Sequence, residues 1–452
     1  MENIKQFIEN HIPHMDSPEK VYELFKYLGY KTLDTSYSGK EAWEFKEKNK
    51  EYIKKSYTIA NYKKRFQIFL VELKSYSSPI IRNIINDIKK EIQYPFFVFT
   101  SDYQNYSFIL VEKLREDAGV RKRKLIKLNI DINNAYYTDK WILSNIAINE
   151  NINDPLDIYK ILTKAFSVEK VSEIFFDDYK RIFFDIRESL LKQGISIKDA
   201  HEFSQQLLNR IMFIYFIDKK RWLKHSPKFM KWFMERYLEE KKRNGTEDQF
   251  YEKWLKVLFL EAFNQRFSHP LYLPKDVDEA LASAPYLNGG LFKKNKLDDL
   301  ALNLSDKFME EILNFFEKYN FTIKEDLPLD VEVAVDPEMI GYVYESLANV
   351  AEEIYERQDL GIFYTPKEEV DFMCRRSLLE YLSKTTDIKK EILYRLLFDE
   401  DKTNVERSLK DSDYEKLEES LDNLSVLDPA CGSGAFLVGM LNLLVETYNF
   451  IY

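Results

Sequence analysis

The chain of 452 residues carries a net charge of −10, with 45% apolar and 31% charged residues. These values exclude a disordered polymer and a polycation, and at roughly 100–200 residues per domain they fit two to four domains. Only 12 Gly and 13 Pro stand against 30 Tyr and 33 Phe, so most of the chain is expected in regular elements and any cluster of glycines is informative.

In chain order, the opening "MENIKQFIENHIPHMDSPEK" lacks the apolar core of a secretion signal. Pro18 to Leu28 reads as a helix with Val21, Leu24, Phe25 and Leu28 on one face. "QIFLVELKS", "PFFVFTSD" and "YSFILVEKL" are β-branched and aromatic runs of strand length. Between the first two, "SPIIRNIINDIKKEI" reads as a helix capped by Ser78, with Pro79 in its first turn and an Ile81, Ile84, Ile85, Ile88 stripe. Residues 1–131 are therefore expected to form an α/β domain. "VRKRKLIK", 120–127, is the strongest basic run, either a phosphate-contacting segment or a solvated strand edge blunted by its charges.

Residues 132–349 read as a mainly helical connector. Phe203, Leu207, Ile211, Ile214 and Tyr215 recur at helical spacing, and His201, Arg210 and Trp222 are expected in core packing or on a solvated face. The apolar run "IMFIYFI" is far shorter than the roughly 20 residues that span a bilayer, so the cytoplasm is expected and no membrane contact. Residues 350–452 hold two motifs separated by a Lys-, Asp- and Glu-rich stretch, 383–423, read as solvated helices. Cys374 and Cys431, far apart, support neither a disulfide framework nor a Cys-based zinc site.

The densest signal is "VLDPACGSGAFLVGML". "SVLD" reads as a short strand that Pro429 terminates, since proline has no N–H for a ladder. Gly432 and Gly434 allow a tight turn and close approach of a ligand. The helix that follows offers unpaired N–H groups to an anion. A P-loop is excluded because no Lys follows Gly434, and a dinucleotide fingerprint because its third glycine position is Leu437.

Asp428 to Phe436, "DPACGSGAF", resembles motif I of S-adenosylmethionine-dependent DNA amino-methyltransferases. The upstream "GIFYTP" resembles their motif X, and the order X before I resembles the γ type, which favours adenine N6 over cytosine N4 as the methylated atom. The resemblance implies a Rossmann-like domain that binds S-adenosylmethionine through Tyr364, Thr365, Pro366, Asp428, Pro429, Ala430, Cys431, Gly432, Ser433, Gly434 and Phe436. Cys431 is read as a small buried residue, because direct methyl transfer needs no thiol there.

The family's base-holding Asn/Asp-Pro-Pro-Tyr/Phe motif has no counterpart: "DPEM" at Asp336 and "APYL" at Ala284 do not fit, and both precede motif I. The chain thus resembles the N-terminal part of a larger methyltransferase and is expected to be inactive alone. Its catalytic and target-recognition part would come from elsewhere, for example a separately encoded chain.

Glu72 and Lys74 in "FQIFLVELKS" are two apart on a strand and so are expected on one face. The pair resembles the Glu-x-Lys of PD-(D/E)xK nucleases, which implies Mg2+ at Glu72 and an upstream acid, with Lys74 helping to activate water. Asp34 is the best candidate for that acid, although no acidic residue lies between Ile53 and Val71; the alternative is a surface ion pair. Taken over its length, the chain resembles Type IIG restriction-modification enzymes: nuclease-like α/β domain, helical connector, γ-type methyltransferase. That resemblance implies double-stranded DNA as partner and a role in restriction-modification or phage defence. The alternatives are a Mg2+-dependent endonuclease and a DNA-binding scaffold for a separately encoded catalytic half.

Overall fold

The computed structural model describes residues 2–33, 47–89, 91–113, 123–149, 151–245, 247–287, 289–322, 330–335, 365, 367–399, 402–431 and 434–451. The chain divides into two compact units, Met1–Pro337 and Glu338–Tyr452.

The first unit opens with helices α1 (Glu2–His11) and α2 (Pro18–Tyr27). Strands β1 (Ile53–Tyr62) and β2 (Phe66–Leu73), helix α3 (Ser78–Asn86), and strands β3 (Tyr94–Thr100), β4 (Asn105–Lys113) and β5 (Arg123–Asp131) follow. The expected α2 forms, with Val21, Leu24, Phe25 and Leu28 all buried and Ser17 accepting a hydrogen bond from the N–H of Lys20. In α3 the cap position falls on Ser77 and no side chain caps the helix, so Ser78, expected as the cap, is instead its first residue. The Ile stripe of α3 is buried as expected.

The sheet order is β1-β2-β3-β4-β5-β6, where β6 (Asp330–Glu332) comes from the far side of the helical region and pairs in parallel with β5. β1 and β2 form an antiparallel hairpin, α3 crosses over to β3 parallel to β2, and β4 and β5 continue antiparallel. Successive residues of a strand face opposite sides. Phe66, Ile68 and Leu70 of β2 therefore join Phe96, Val98, Phe108 and Leu128 on one face, against α1 and α2. Phe69, Val71 and Leu73 join Phe97, Phe99, Ile109 and Leu125 on the other, against α3. Burial on both faces explains why these strands read as nearly continuous apolar runs.

Of the basic run, Val120, Arg121 and Lys122 lie outside the described residues. β5 pairs with β4 along its length and with β6 from Leu125 to Lys127, so that part of it is not an edge. Of its described residues, Arg123 is buried and donates to the Ile85 carbonyl, Lys127 is buried, and Lys124 faces Glu112 at 3.8 Å.

The helical part comprises α4 (Tyr137–Asn145), α5 (Pro155–Ala165), α6 (Val168–Lys192), α7 (Ile197–Lys219), α8 (Phe229–Asn244) and α9 (Asp306–Glu317), with shorter helical segments between α8 and α9. His201 and Arg210 on α7 are both buried. His201 meets the Phe183 ring edge-on. Arg210 Nη1 lies 2.5 Å from Asp298 Oδ1, and its Nε donates to the Leu291 carbonyl. Trp222, by contrast, is 54% exposed.

The second unit contains α10 (Lys367–Thr385), α11 (Lys390–Phe398), α12 (Asp411–Asp422) and α13 (Ala435–Ile451). Its core takes Val370, Cys374, Leu378 and Leu382 from α10 and Met440 and Leu443 from α13. It also takes Leu393, Leu396, Leu397, Leu417 and Leu421 from the charged stretch. Residues 383–423 are thus not only solvated faces: leucines at helical spacing on α11 and α12 close the core. Arg375 ties the unit together, donating to Asp371, to Glu446 of α13 and to the Leu397 carbonyl. The expected strand at Ser425–Asp428 is absent, and no strand occurs among the described residues of this unit. A strand exists only through a neighbour's ladder, and the described residues of the unit supply no neighbour. Among the described residues, no helix is long and apolar enough to cross a membrane.

Candidate functional site

The motif I segment is an exposed loop running into α13. The Asp428 carboxylate accepts, through Oδ1, the backbone N–H of Ala430 at 3.0 Å, a side-chain-closed turn that starts the loop. Its other oxygen, Oδ2, is buried without a hydrogen-bond partner. An unpaired buried carboxylate oxygen costs stability, and a cation or an N–H group could supply the missing partner.

Gly434 closes the turn with its N–H on the Cys431 carbonyl at 2.7 Å, and its own carbonyl accepts from Val438, starting the helix. Its φ of +81° suits glycine, whereas the space around it is open. The glycine serves the backbone turn, as expected from the sequence. Gly432 and Ser433 lie outside the described residues, as do Tyr364 and Pro366; Thr365 is half-buried just before α10.

Pro429, Ala430 and Cys431 are exposed and Phe436 is half-buried against the unit core. Cys431 is therefore not the buried residue expected: the loop projects from the helices, and its thiol is free. Gly439 had no role in the sequence reading. An added Cβ there would lie 2.7 Å from Val370 Cγ1, so this glycine lets α13 approach α10. Its signal was present, a lone glycine inside an apolar helix.

Beside the loop, Val426 and Leu427 are exposed, Leu427 at 87%. Leu437, Val438, Leu441 and Val445 continue the exposed apolar row along α13. Isolated exposed leucines are ordinary, whereas Leu437, Val438, Leu441 and Val445 fall at helical spacing on one side of α13.

The described residues fit an amino-acid-bearing cofactor in two ways. Asp428 Oδ2 suits a cationic ammonium, and the first N–H groups of α13 suit a carboxylate.

Glu72 gives a different picture. It lies at the carboxyl end of β2, opposite Thr100 of β3, and is half-buried. Its Oε1 accepts hydrogen bonds from two phenols, Tyr57 at 3.0 Å and Tyr103. Burial and the Glu72 contact push the Tyr57 hydroxyl up to about 12, and the Tyr103 hydroxyl further in the same direction for the same causes. Both phenols therefore stay protonated donors at neutral pH.

Lys74 falls one residue past the end of β2, is exposed, and makes no ion pair with Glu72; its backbone N–H donates to the Tyr52 carbonyl. The expected pairing on one strand face is not formed, because the strand ends at Leu73. β1 carries no acidic residue, and Tyr57 reaches the carboxylate from that strand instead. Asp34 lies outside the described residues. Among the described residues no three His, Cys, Asp or Glu side chains group to hold a metal. A Mg2+ ion needs several oxygen ligands, and among the described residues Glu72 alone is placed at this position.

No model of a known protein family matches the chain, and no solved structure matches it. A curated protein of Methanocaldococcus jannaschii, provisionally named a type II restriction enzyme and methyltransferase, is 29% identical over 274 residues. That match covers 56% of this chain and 21% of the relative's length. The chain is thus a distant relative of a restriction-modification protein and spans about a fifth of it.

Proposed function

We propose that this chain is the cofactor-binding N-terminal part of a DNA adenine-N6 methyltransferase of a restriction-modification or phage-defence system. The reading is supported above all by Asp428, whose unpaired buried oxygen lies in the loop that carries the uninterrupted motif I string. The relative's name agrees with its restriction-modification and methyltransferase part.

In this reading Asp428 holds the ammonium of S-adenosylmethionine, and the N–H groups at the start of α13 hold its carboxylate. By the motif resemblance Tyr364, Thr365 and Pro366 would serve the methionine end, and Pro429, Ala430, Cys431, Gly432, Ser433, Gly434 and Phe436 would complete the cofactor site. The cofactor supplies a sulfonium-bound methyl group. The chain's own residues bind and orient it; none of them holds the target base. The exposed row of Val426, Leu427, Leu437, Val438, Leu441 and Val445 would be covered by strands of the methyltransferase sheet, from the same or a separately encoded polypeptide. That remaining part would also hold the double-stranded DNA target.

Two measurements test the reading. Calorimetry should show S-adenosylmethionine binding that Asp428→Ala weakens by at least tenfold; equal affinity for both proteins would refute it. The purified 452-residue chain should transfer no tritiated methyl to DNA, and clear turnover would show that it holds the base unaided.

For the N-terminal sheet, the order of hairpin, crossover helix and parallel strand supports a PD-(D/E)xK-like fold. The donor set at Glu72 does not support metal-dependent cutting, and no such step is assigned.

A further inference from the structure

On a molecule of net charge −10, the segment joining α7 to α8, "KKRWLKHSPKFMKW", runs from Lys219 to Trp232 with six Lys and Arg and no Asp or Glu. Three of the six are engaged. Lys219 donates to Tyr136 and Asn320, Lys224 pairs with Glu279 at 3.0 Å, and Lys228 donates to Asn134. The other three, Lys220, Arg221 and Lys231, are exposed, and their side chains make no hydrogen bond or ion pair with the described residues. Trp222, beside Arg221, is 54% exposed.

The segment is held as a fixed turn. Arg221 and His225 take left-handed conformations, φ 59° and 68°. Leu223 is buried beneath them. Asp218 accepts the N–H of Phe229 at 3.1 Å, tying the end of α7 to the start of α8. The ring of His225 stacks on Trp232 at 4.0 Å.

Arg221 closes the end of α7, donating its N–H to the Asp218 carbonyl while the Trp222 N–H reaches the Ile217 carbonyl, so its left-handed backbone belongs to the helix cap and the exposed indole of Trp222 is the feature left without a use. Unpaired cations repel one another and gain most from a polyanion. The exposed indole beside Arg221 adds an apolar face against which the sugar of a nucleic-acid backbone can lie.

We infer that Lys220, Arg221, Trp222 and Lys231 form a contact surface for the phosphate backbone of double-stranded DNA. These residues belong to the first compact unit and the Asp428 loop to the second. The surface shares with the proposed function only the nature of the partner.

The test is fluorescence anisotropy of a labelled duplex against salt concentration, with no cofactor present. The wild-type chain is compared with Lys220→Ala/Arg221→Ala/Lys231→Ala and with a control, Lys5→Ala/Lys164→Ala/Lys192→Ala, that removes the same charge from exposed positions elsewhere. The triple variant should bind at least tenfold more weakly at about 0.1 M salt, and the slope of log affinity against log salt should fall by about 0.9 for each phosphate that is no longer neutralised. The control should match wild type apart from a small general charge effect.

Trp222→Phe should retain most of the affinity and Trp222→Ala should abolish most of it. Equal binding by the triple variant and the control, or no duplex binding by wild type at about 50 mM salt, would overturn the inference. So would displacement of the duplex by polyglutamate as readily as by unlabelled DNA, which would make this a surface for acidic protein. Cofactor calorimetry without DNA reads the Asp428 loop independently, so either proposal can fail alone.

Discussion

Asp139, fully buried at the start of α4, shows how one side chain sets the pH response. Its Oδ2 caps the N–H of Tyr136 at 2.9 Å, but Oδ1 has no partner. Burial pushes its carboxyl up to about 7, and burial also raises Asp218 and Glu317. In the unfolded chain Asp139 titrates near the ordinary carboxyl value of about 4. Between about pH 4 and pH 7 the folded state therefore binds more protons than the unfolded state, and stability falls as pH rises through that window. For Asp139 alone the full loss is on the order of 4 kcal/mol. Asp139→Asn keeps an acceptor for Tyr136 and cannot ionise. Thermal unfolding of this variant should change less between about pH 5 and pH 8 than wild type, and its midpoint should be higher at the upper end of that range. Nothing local in the sequence announces this. Asp139 reads as an ordinary first-turn acid, and the charges it feels most, Lys219 and Glu332 of β6, come from far along the chain.

At the scale of elements, what was legible followed periodicity. α2, α3, β2, β3 and β4 were readable because their apolar residues repeat at the spacing of the face they bury. β1 escaped notice because "IKKSYTIANY" mixes lysines and polar residues at its exposed end. β6 escaped because so short a strand carries no period, and its place beside β5 is set by the chain's return after the whole helical region. The motif I loop was legible because its glycines are rare in this chain, while the strand expected before it was not formed, since a strand needs a partner that local sequence cannot announce.

Two predictions belong to this scale. Gly439→Ala puts a methyl 2.7 Å from the stiff Val370 side chain, so it should loosen α10 from α13 at about 1–3 kcal/mol. Adding Val370→Ala should recover part of that loss in a thermal melt of the same protein. Arg210→Met should strand Asp298 as a buried charge, a cost of about 3–5 kcal/mol. Hydrogen exchange should then speed up in residues 291–298, which Arg210 holds through Leu291 and Asp298.

Over the whole molecule, two compact units carry different functional signals. The first presents a basic turn with an exposed tryptophan on an otherwise acidic chain. The second presents a ligand-type loop with an apolar row beside it. Glu72 stands apart from both, with Tyr57 and Tyr103 donating to one of its two carboxylate oxygens. The sequence reading of that residue rested on a two-residue spacing, which fixes neither where the strand ends nor which side chains fill the neighbouring strand. The central claim is that the loop from Asp428 to Phe436 holds S-adenosylmethionine, and photo-crosslinking with methyl-tritiated cofactor followed by peptide mapping tests it most directly. The label should fall on peptides within 424–451 or on the segment around Thr365, and excess unlabelled cofactor should abolish it. Label confined to residues 1–335, or label that excess cofactor does not displace, would contradict the claim.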